Sequence, residues 1–237
     1  MVSAENKMDA RNGALVLSKY GWLSQMPADF RSAILRNCVW QNYAAGASLF
    51  AAGDPPGGIF GIADGSVGTS TLLGAPDSPM VHIGRRGFWS GMGSLLSGEP
   101  RRMSAFAITE ALIANVPLPA LQALLSENPE WWQHIGQMAL SSIDIIGNGF
   151  ADMMIRDSGR RCAAILLRLC ECRFNDATDV SREVMVTQDE IADMANLSRS
   201  TVNTILRRLV KQRLIELRYR SIIVVETKRL RKLANGE

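Results

Sequence analysis

Arg199, Ser200, Asn203, Thr204 and Arg207 recur in the segment SRSTVNTILRRLVK at spacings that gather them on one side of a helix. The opposite side, Val202, Ile205, Leu206 and Leu209, follows the i, i+3, i+4, i+7 pattern of a buried face. Guanidinium forks with short amide and hydroxyl side chains at the start of a helix are the groups that read base edges in a DNA major groove. A second stretch, SGMGSLLSGEPRRMSA from Ser90 to Ala105, sets Gly91 and Gly93 ahead of Arg101, Arg102 and Ser104. Small residues followed by guanidinium and hydroxyl groups are what a loop needs to cradle an anion.

Catalytic chemistry finds no comparable footing. The two histidines, His82 and His134, sit in no nucleophile–base setting, and His82 reads as a strand residue with one polar tip. Gly91-x-Gly93 does not extend to a dinucleotide fingerprint, because Leu96 stands where the third glycine belongs. Cys38, Cys162, Cys170 and Cys172 form neither repeated C-x-x-C spacings nor Cys/His pairs, and Cys170 and Cys172 point to different sides of a helix. The expectation is free thiols, no metal and no enzyme.

These side chains need elements to position them. In VTQDEIADMANLSRSTVNTILRRLVKQRLIEL, residues 186–217, Thr187 and Glu190 form a capping box that starts a short helix with Ile191, Ala192 and Ala195 inward. Asn196-Leu197 makes a turn and Ser198 caps the second helix. LIELRYRSIIVVE then reads as a hairpin turning around Arg218–Ser221. Helix, turn, helix and hairpin is the layout that offers the start of a second helix to DNA. Charge agrees: from Arg199 to Lys232 eleven Lys/Arg face only Glu216 and Glu226, a net of +9, so the rest of the chain carries −6 within an overall +3. A basic end on a mildly acidic body is the footprint of a nucleic-acid-binding module.

Upstream, residues 40–117 alternate short apolar pieces with Gly and Asp-Pro-Pro-Gly-Gly punctuation, the mark of a compact antiparallel β unit with a helical lead-in. Asn128-Pro129-Glu130 predicts a helix start with Asn128 as its cap. Beyond it Trp132, Ile135, Ala139, Ser142, Ile146, Gly149 and Met153 recur at steps of three and four. That spacing serves a coiled-coil seam between two copies, or packing on the chain's own β unit; the small residues favour the seam. Gly147 and Gly149 are the places for a bend, and Asp157-Ser158-Gly159 for the helix end. A further apolar helix follows, with Cys162, Ile165, Leu166 and Leu169 inward. No window reaches eighteen apolar residues and the amino terminus does not read as a signal peptide, so a cytoplasmic protein without a membrane span is expected.

Taken together these motifs resemble the Crp/Fnr family of bacterial transcription regulators over roughly residues 20–235. The helix-turn-helix and hairpin resemble the family's winged head, and GASLFAAGDP (46–55) with FGIADGSV (60–67) resembles its cyclic-nucleotide-type β-roll. The resemblance implies an α+β homodimer: a sensory β-roll domain over 1–127, a dimerisation helix and hinge over 128–157, and a winged helix-turn-helix over 158–237. It implies a near-palindromic operator in double-stranded DNA and RNA polymerase as a partner. Arg199 would contact guanine; Ser200, Asn203 and Thr204 would complete base reading, with Thr201 also among the DNA-binding residues. Arg207, Arg208, Lys211, Arg218 and Arg220 would lie on phosphates. The family's glutamate and second arginine are replaced by Ser200 and Thr204, so its usual operator is not expected.

In the sensor, Gly91 and Arg102 match the family's phosphate grip. Met92 replaces its ribose-binding glutamate, Met103 falls where a serine belongs, and Ser104 comes one place late. The family's adenine-contacting Thr-Ser pair lands on Ile146-Gly147. Gly91, Met92, Gly93, Arg102, Met103, Ser104 and Ile146 are therefore the candidate effector pocket, with cyclic AMP disfavoured and another small effector, or none, in its place. The alternative is a cyclic-nucleotide-responsive or ligand-binding protein with an altered pocket. The amino-terminal cysteine cluster of the family's oxygen sensors is absent, and no resident cofactor is expected.

Overall fold

The computed structural model describes residues 9–71, 80–173 and 182–237. The chain divides into two compact units: Met1–Ser78 with His82–Ile143, and Asp144–Glu237 with Pro79–Val81.

The first unit opens with three helices, α1 (Ala10–Lys19), α2 (Gly21–Ser24) and α3 (Ala28–Arg36). Asp9 caps α1 by accepting the Asn12 backbone N–H at 2.8 Å. Strands β1 (Val39–Tyr43), β2 (Ser48–Phe50), β3 (Ile59–Asp64), β4 (Val67–Thr71), β5 (Met80–Gly84) and β6 (Trp89–Ser90) follow. A short helix α4 (Met92–Ser97), strands β7 (Met103–Ala107) and β8 (Ala111–Val116), and helix α5 (Leu118–Glu127) complete it. The strands form two four-stranded sheets, ordered β1-β8-β3-β6 and β2-β7-β4-β5. This is the expected β-roll with its helical lead-in.

Strand β8 explains why the roll is buried on both sides. Ala111 and Ile113 point into a core with Phe60, Ile62, Val67 and Ala105. Leu112, Ala114 and Val116 point the other way, into a larger core with Leu17, Leu23, Phe30, Ile34 and Leu121. Period-two alternation with apolar residues on both faces reads as a continuous hydrophobic run. Where β3 turns into β4, Gly65 holds a φ of +79°, and a Cβ there would strike the Glu110 carbonyl. Only glycine fits that turn.

After a 3-10 turn (Pro129–Trp131) comes the long helix α6, Trp132–Met153. Asn128 does not cap it: its side-chain amide donates backwards to the Leu124 carbonyl at 3.1 Å, closing α5 instead. Nor do Gly147 and Gly149 interrupt the helix, which runs unbroken through both.

The second unit contains the end of α6, then α7 (Ser158–Leu169), β9 (Glu183–Met185), α8 (Gln188–Ala195), α9 (Arg199–Lys211), β10 (Ile215–Arg218), β11 (Ser221–Val224) and α10 (Thr227–Asn235). Asp157 starts α7, accepting the Arg160 N–H at 2.7 Å. Cys162, Ile165, Leu166 and Leu169 are buried as expected, and with Ile191, Ala195, Val202, Leu206 and Leu230 they form the core of this unit. The hairpin gains a third strand not read from the sequence: β11 pairs antiparallel with both β10 and β9. At the end of α6, Asp152 is buried and receives Arg168 Nε and Arg173 Nε, each at 3.2 Å. Arg173 also donates to Asn235 at 2.9 Å, so one carboxylate ties α6 to α7 and, through Arg173, to α10. None of the four cysteines is in a disulfide.

Candidate nucleic-acid interface

The capping box forms as the sequence predicts. Glu190 N–H donates to Thr187 Oγ1 at 3.2 Å, and the Glu190 carboxylate accepts the Thr187 N–H at 2.6 Å. Asn196 ends α8 in the left-handed region at φ 49°, one of the few conformations non-glycine residues visit by favouring Asn. Ser198 then caps α9 by accepting the Thr201 N–H at 3.2 Å. Each such cap contributes about 1 kcal/mol, so the angle between the two helices is fixed by local chemistry as well as by packing.

With Val202, Ile205, Leu206 and Leu209 buried, α9 turns Arg199, Ser200, Thr204, Arg207 and Lys211 outward, and leaves Thr201 and Asn203 half-buried. Thr204 donates its hydroxyl to the Ser200 carbonyl at 3.0 Å, and the Ser198 hydroxyl lies 2.9 Å from that of Ser200 and 2.8 Å from that of Thr201. These hydroxyls retain acceptor capacity toward a base edge. Arg208 leans away from this group, its guanidinium covering Gly159 at the start of α7. That packing is a structural role the sequence did not announce.

The hairpin tip consists of Tyr219 and Arg220, the latter at φ 54°. Its carbonyl accepts the Val186 N–H at 3.1 Å, which pins the tip beside the entry to α8. Tyr219 is 90% exposed between the exposed Arg218 and Arg220. Between the hairpin and the helix pair lies a concavity of about 290 Å³, lined by Thr187, Gln188, Asp189, Arg199, Arg218 and Tyr219 among others. Asp189 and Tyr219 are additions to the sequence reading. Tyr219 was legible from its place at the centre of a hairpin turn; Asp189, ten residues before its partner Arg199, was not.

In the β-roll, the anion loop takes a different form from the expected one. Arg101, not Arg102, enters it: Nη1 donates to the Gly91 carbonyl at 3.0 Å and Nη2 to the Gly58 carbonyl at 2.8 Å. Its guanidinium lies 4.4 Å from the centre of the Phe50 ring, a cation–π contact. Burial pushes the Arg101 guanidinium below its ordinary value, and nearby Asp54 pulls it back up. A Cβ at Gly57 would crowd this guanidinium, and at Gly91, where φ is +101°, a Cβ would meet the Gly58 carbonyl, so glycine is required at 91.

Two family models match the chain: a cyclic nucleotide-binding domain over residues 40–128 and a Crp-like helix-turn-helix domain over residues 160–233. The chain belongs to the Crp/Fnr family of transcription regulators. Among relatives, a CRP-like cAMP-activated global transcriptional regulator of Mycobacterium tuberculosis is 26% identical over 229 residues, covering 92% of this chain and 98% of that protein. A global nitrogen regulator of Synechococcus elongatus is 26% identical over 187 residues, covering 78% and 84%. In fold, the chain is similar to FixK2 from Bradyrhizobium japonicum, with a TM-score of 0.70 at 18% identity over 83% of this chain and 96% of that one.

As a Crp/Fnr regulator the chain acts by binding DNA; among the described residues no group of three or more His, Cys, Asp and Glu could hold a metal ion. No described helix is long and apolar enough to cross a membrane. The candidate effector positions have separate surroundings. Arg102 is exposed at the loop surface, while Met92 is buried in the core beneath the lead-in helices. Ser104 accepts the Ala52 N–H at 3.0 Å, so its hydroxyl is a loop tie. Met103 is half-buried, and a Cβ on Gly93 would meet open space.

The expected seam positions on α6 divide between the core and the surface. Ile135 is 0% exposed in its own unit's core, and Ala139 is half-buried against that core. Ser142 donates to the Met138 carbonyl at 3.1 Å, and Gly149 faces the Arg168 guanidinium. Of the predicted set only Trp132 and Ile146 are exposed, and Met153 is half-buried. The exposed apolar stripe is instead Leu140, Ile143, Ile146, Phe150 and Met154, each 62–68% exposed. Ile146 thus belongs to that stripe.

Proposed function

We propose that this Crp/Fnr regulator works as a homodimer reading a near-palindromic operator. The reading divides the chain into a β-roll domain over 1–127, a dimer helix with hinge over 128–157 and a DNA-binding head over 158–237. Arg199 supplies the bidentate contact to guanine, and Ser200, Thr201, Asn203 and Thr204 add base-edge or nearby contacts. Arg207, Lys211, Arg218 and Arg220 neutralise phosphates, the exposed Tyr219 stands among them at the hairpin tip, and Arg208 covers Gly159. RNA polymerase is the natural further partner of such a regulator.

The observation that carries this reading is the outward basic and polar side of α9 beside an arginine-bearing hairpin. The exposed stripe on α6 supports self-association, since five large apolar side chains at helical spacing lack cover within one chain. The effector is proposed not to be cyclic AMP. Met92 offers no hydrogen bond to a ribose, and the Arg101 guanidinium already spans the two carbonyls across the anion loop. Calorimetric titration with cyclic AMP and cyclic GMP is expected to show no saturable heat; micromolar affinity contradicts it.

A second reading, a cyclic-nucleotide-responsive regulator with an altered pocket, is favoured by the cyclic nucleotide-binding match over 40–128 and by the cAMP-activated mycobacterial relative. The same titration separates the two. For DNA binding itself, purified protein and its own upstream promoter DNA at moderate salt form the test: retention of that DNA, lost in Arg199→Ala, is the expected outcome.

A further inference from the structure

The concavity between hairpin and helices presents Arg199, Arg218 and Arg220 and a single carboxylate, Asp189, in the first turn of α8. Asp189 Oδ1 lies 3.4 Å from Arg199 Nε, with the two side chains 60% and 71% exposed. A pair this open to water contributes little to folding stability. A carboxylate facing DNA is also unfavourable for binding, because it meets the phosphate field with the wrong sign. Its place in the first turn of α8 complements the helix dipole, and a second reason lies in recognition.

The atom it holds supplies that reason. An arginine reads guanine by setting two parallel N–H groups against O6 and N7, and the edge formed by the two Nη groups does this without Nε. With Nε turned to Asp189, that edge of Arg199 stays open and the long side chain loses part of its rotational freedom before DNA arrives. We propose that Asp189 is a positioning residue for base reading: it holds Arg199 in its guanine-reading pose and penalises DNA without that guanine. The inference rests on the reading of Arg199 as the guanine contact. Asp189 touches neither base nor phosphate; it sets selectivity at one base pair and costs some overall affinity.

The test compares the full-length wild type with Asp189→Ala, Asp189→Asn and Arg199→Ala. Each is titrated against the selected operator, the operator carrying 7-deazaguanine at the contacted position, the operator with that G·C pair changed to A·T, and random-sequence duplex. Asp189→Ala is expected to lose roughly three- to tenfold of the discrimination between guanine and adenine, within the range one bidentate contact commands. It should bind random duplex more tightly than wild type and feel the missing N7 less. Asp189→Asn, which keeps the size and an acceptor, should show the tighter random binding with a smaller loss of discrimination. Full discrimination retained in both Asp189 variants overturns the proposal. If Arg199→Ala leaves discrimination unchanged as well, the guanine reading of Arg199 has failed. If Arg199→Ala abolishes it and the Asp189 variants do not, the role of Asp189 alone is overturned.

Discussion

On the proposed reading sequence selectivity turns on Arg199, and its substitutions separate charge from shape. Arg199→Ala should weaken operator binding by about 10- to 100-fold, corresponding to about 1–3 kcal/mol, with an unchanged circular dichroism spectrum. Arg199→Lys should recover part of the affinity through its charge but not the preference for guanine, because an ammonium lacks the planar fork. Electrophoretic titration on operator and on a guanine-substituted operator reads both. The thiols make a different prediction. Burial pushes Cys38 up to about 12 and Cys162 up to about 11, from an ordinary value of 9.0. The unfolded chain therefore releases these protons near pH 9 while the folded chain keeps them, so stability falls as pH rises beyond 9. The urea midpoint of wild type should drop more between pH 8 and 10.5 than that of Cys38→Ala/Cys162→Ala; equal drops contradict it. At this scale the recognition helix was legible in the sequence, since its caps and its buried stripe are local. The sensor loop was not. Arg101 and Arg102 are adjacent and chemically identical, and only the three-dimensional approach of Gly58 and Phe50 decides which one turns inward.

Among the elements, α6 carries the sharpest lesson about register. Both of its sides are apolar in its first turns, because one side closes the β-roll core through Ile135 and Met138. Spacing alone cannot tell an inward stripe from an outward one, and counting from Trp132 and Ile135 carried the buried side into the predicted seam. The exposed stripe predicts two separable phenotypes. Ile146→Glu with Phe150→Glu should convert the protein to a folded monomer by sedimentation velocity and abolish operator binding. Ile135→Ala should leave association intact and destabilise the fold by about 2–5 kcal/mol, the usual range for truncating a buried aliphatic residue. The reverse pairing of outcomes would return the seam to Ile135. The third strand, β9, escaped sequence reading for another reason: Glu183–Met185 is too short to show any period, and becomes a strand only by pairing with β11.

For the whole molecule, the division of charge is the most general signal. A net of +9 between Arg199 and Lys232 on a chain of +3 overall makes DNA affinity an electrostatic quantity first and a sequence-specific one second. Affinity should fall linearly on a log–log plot against salt, with a slope of roughly −0.9 per phosphate neutralised. The order of β-roll, long helix and winged head was readable because each has a different hydrophobic period. The effector was not, since that depends on contacts among loops far apart in the chain. Selection of bound duplexes from a random pool by the full-length protein tests the central claim most directly. A near-palindrome with half-sites about one helical turn, roughly 34–36 Å, apart and a guanine in each half is the predicted result. Recovery of no enriched sequence, or of a single unrepeated site bound by one copy, would contradict it.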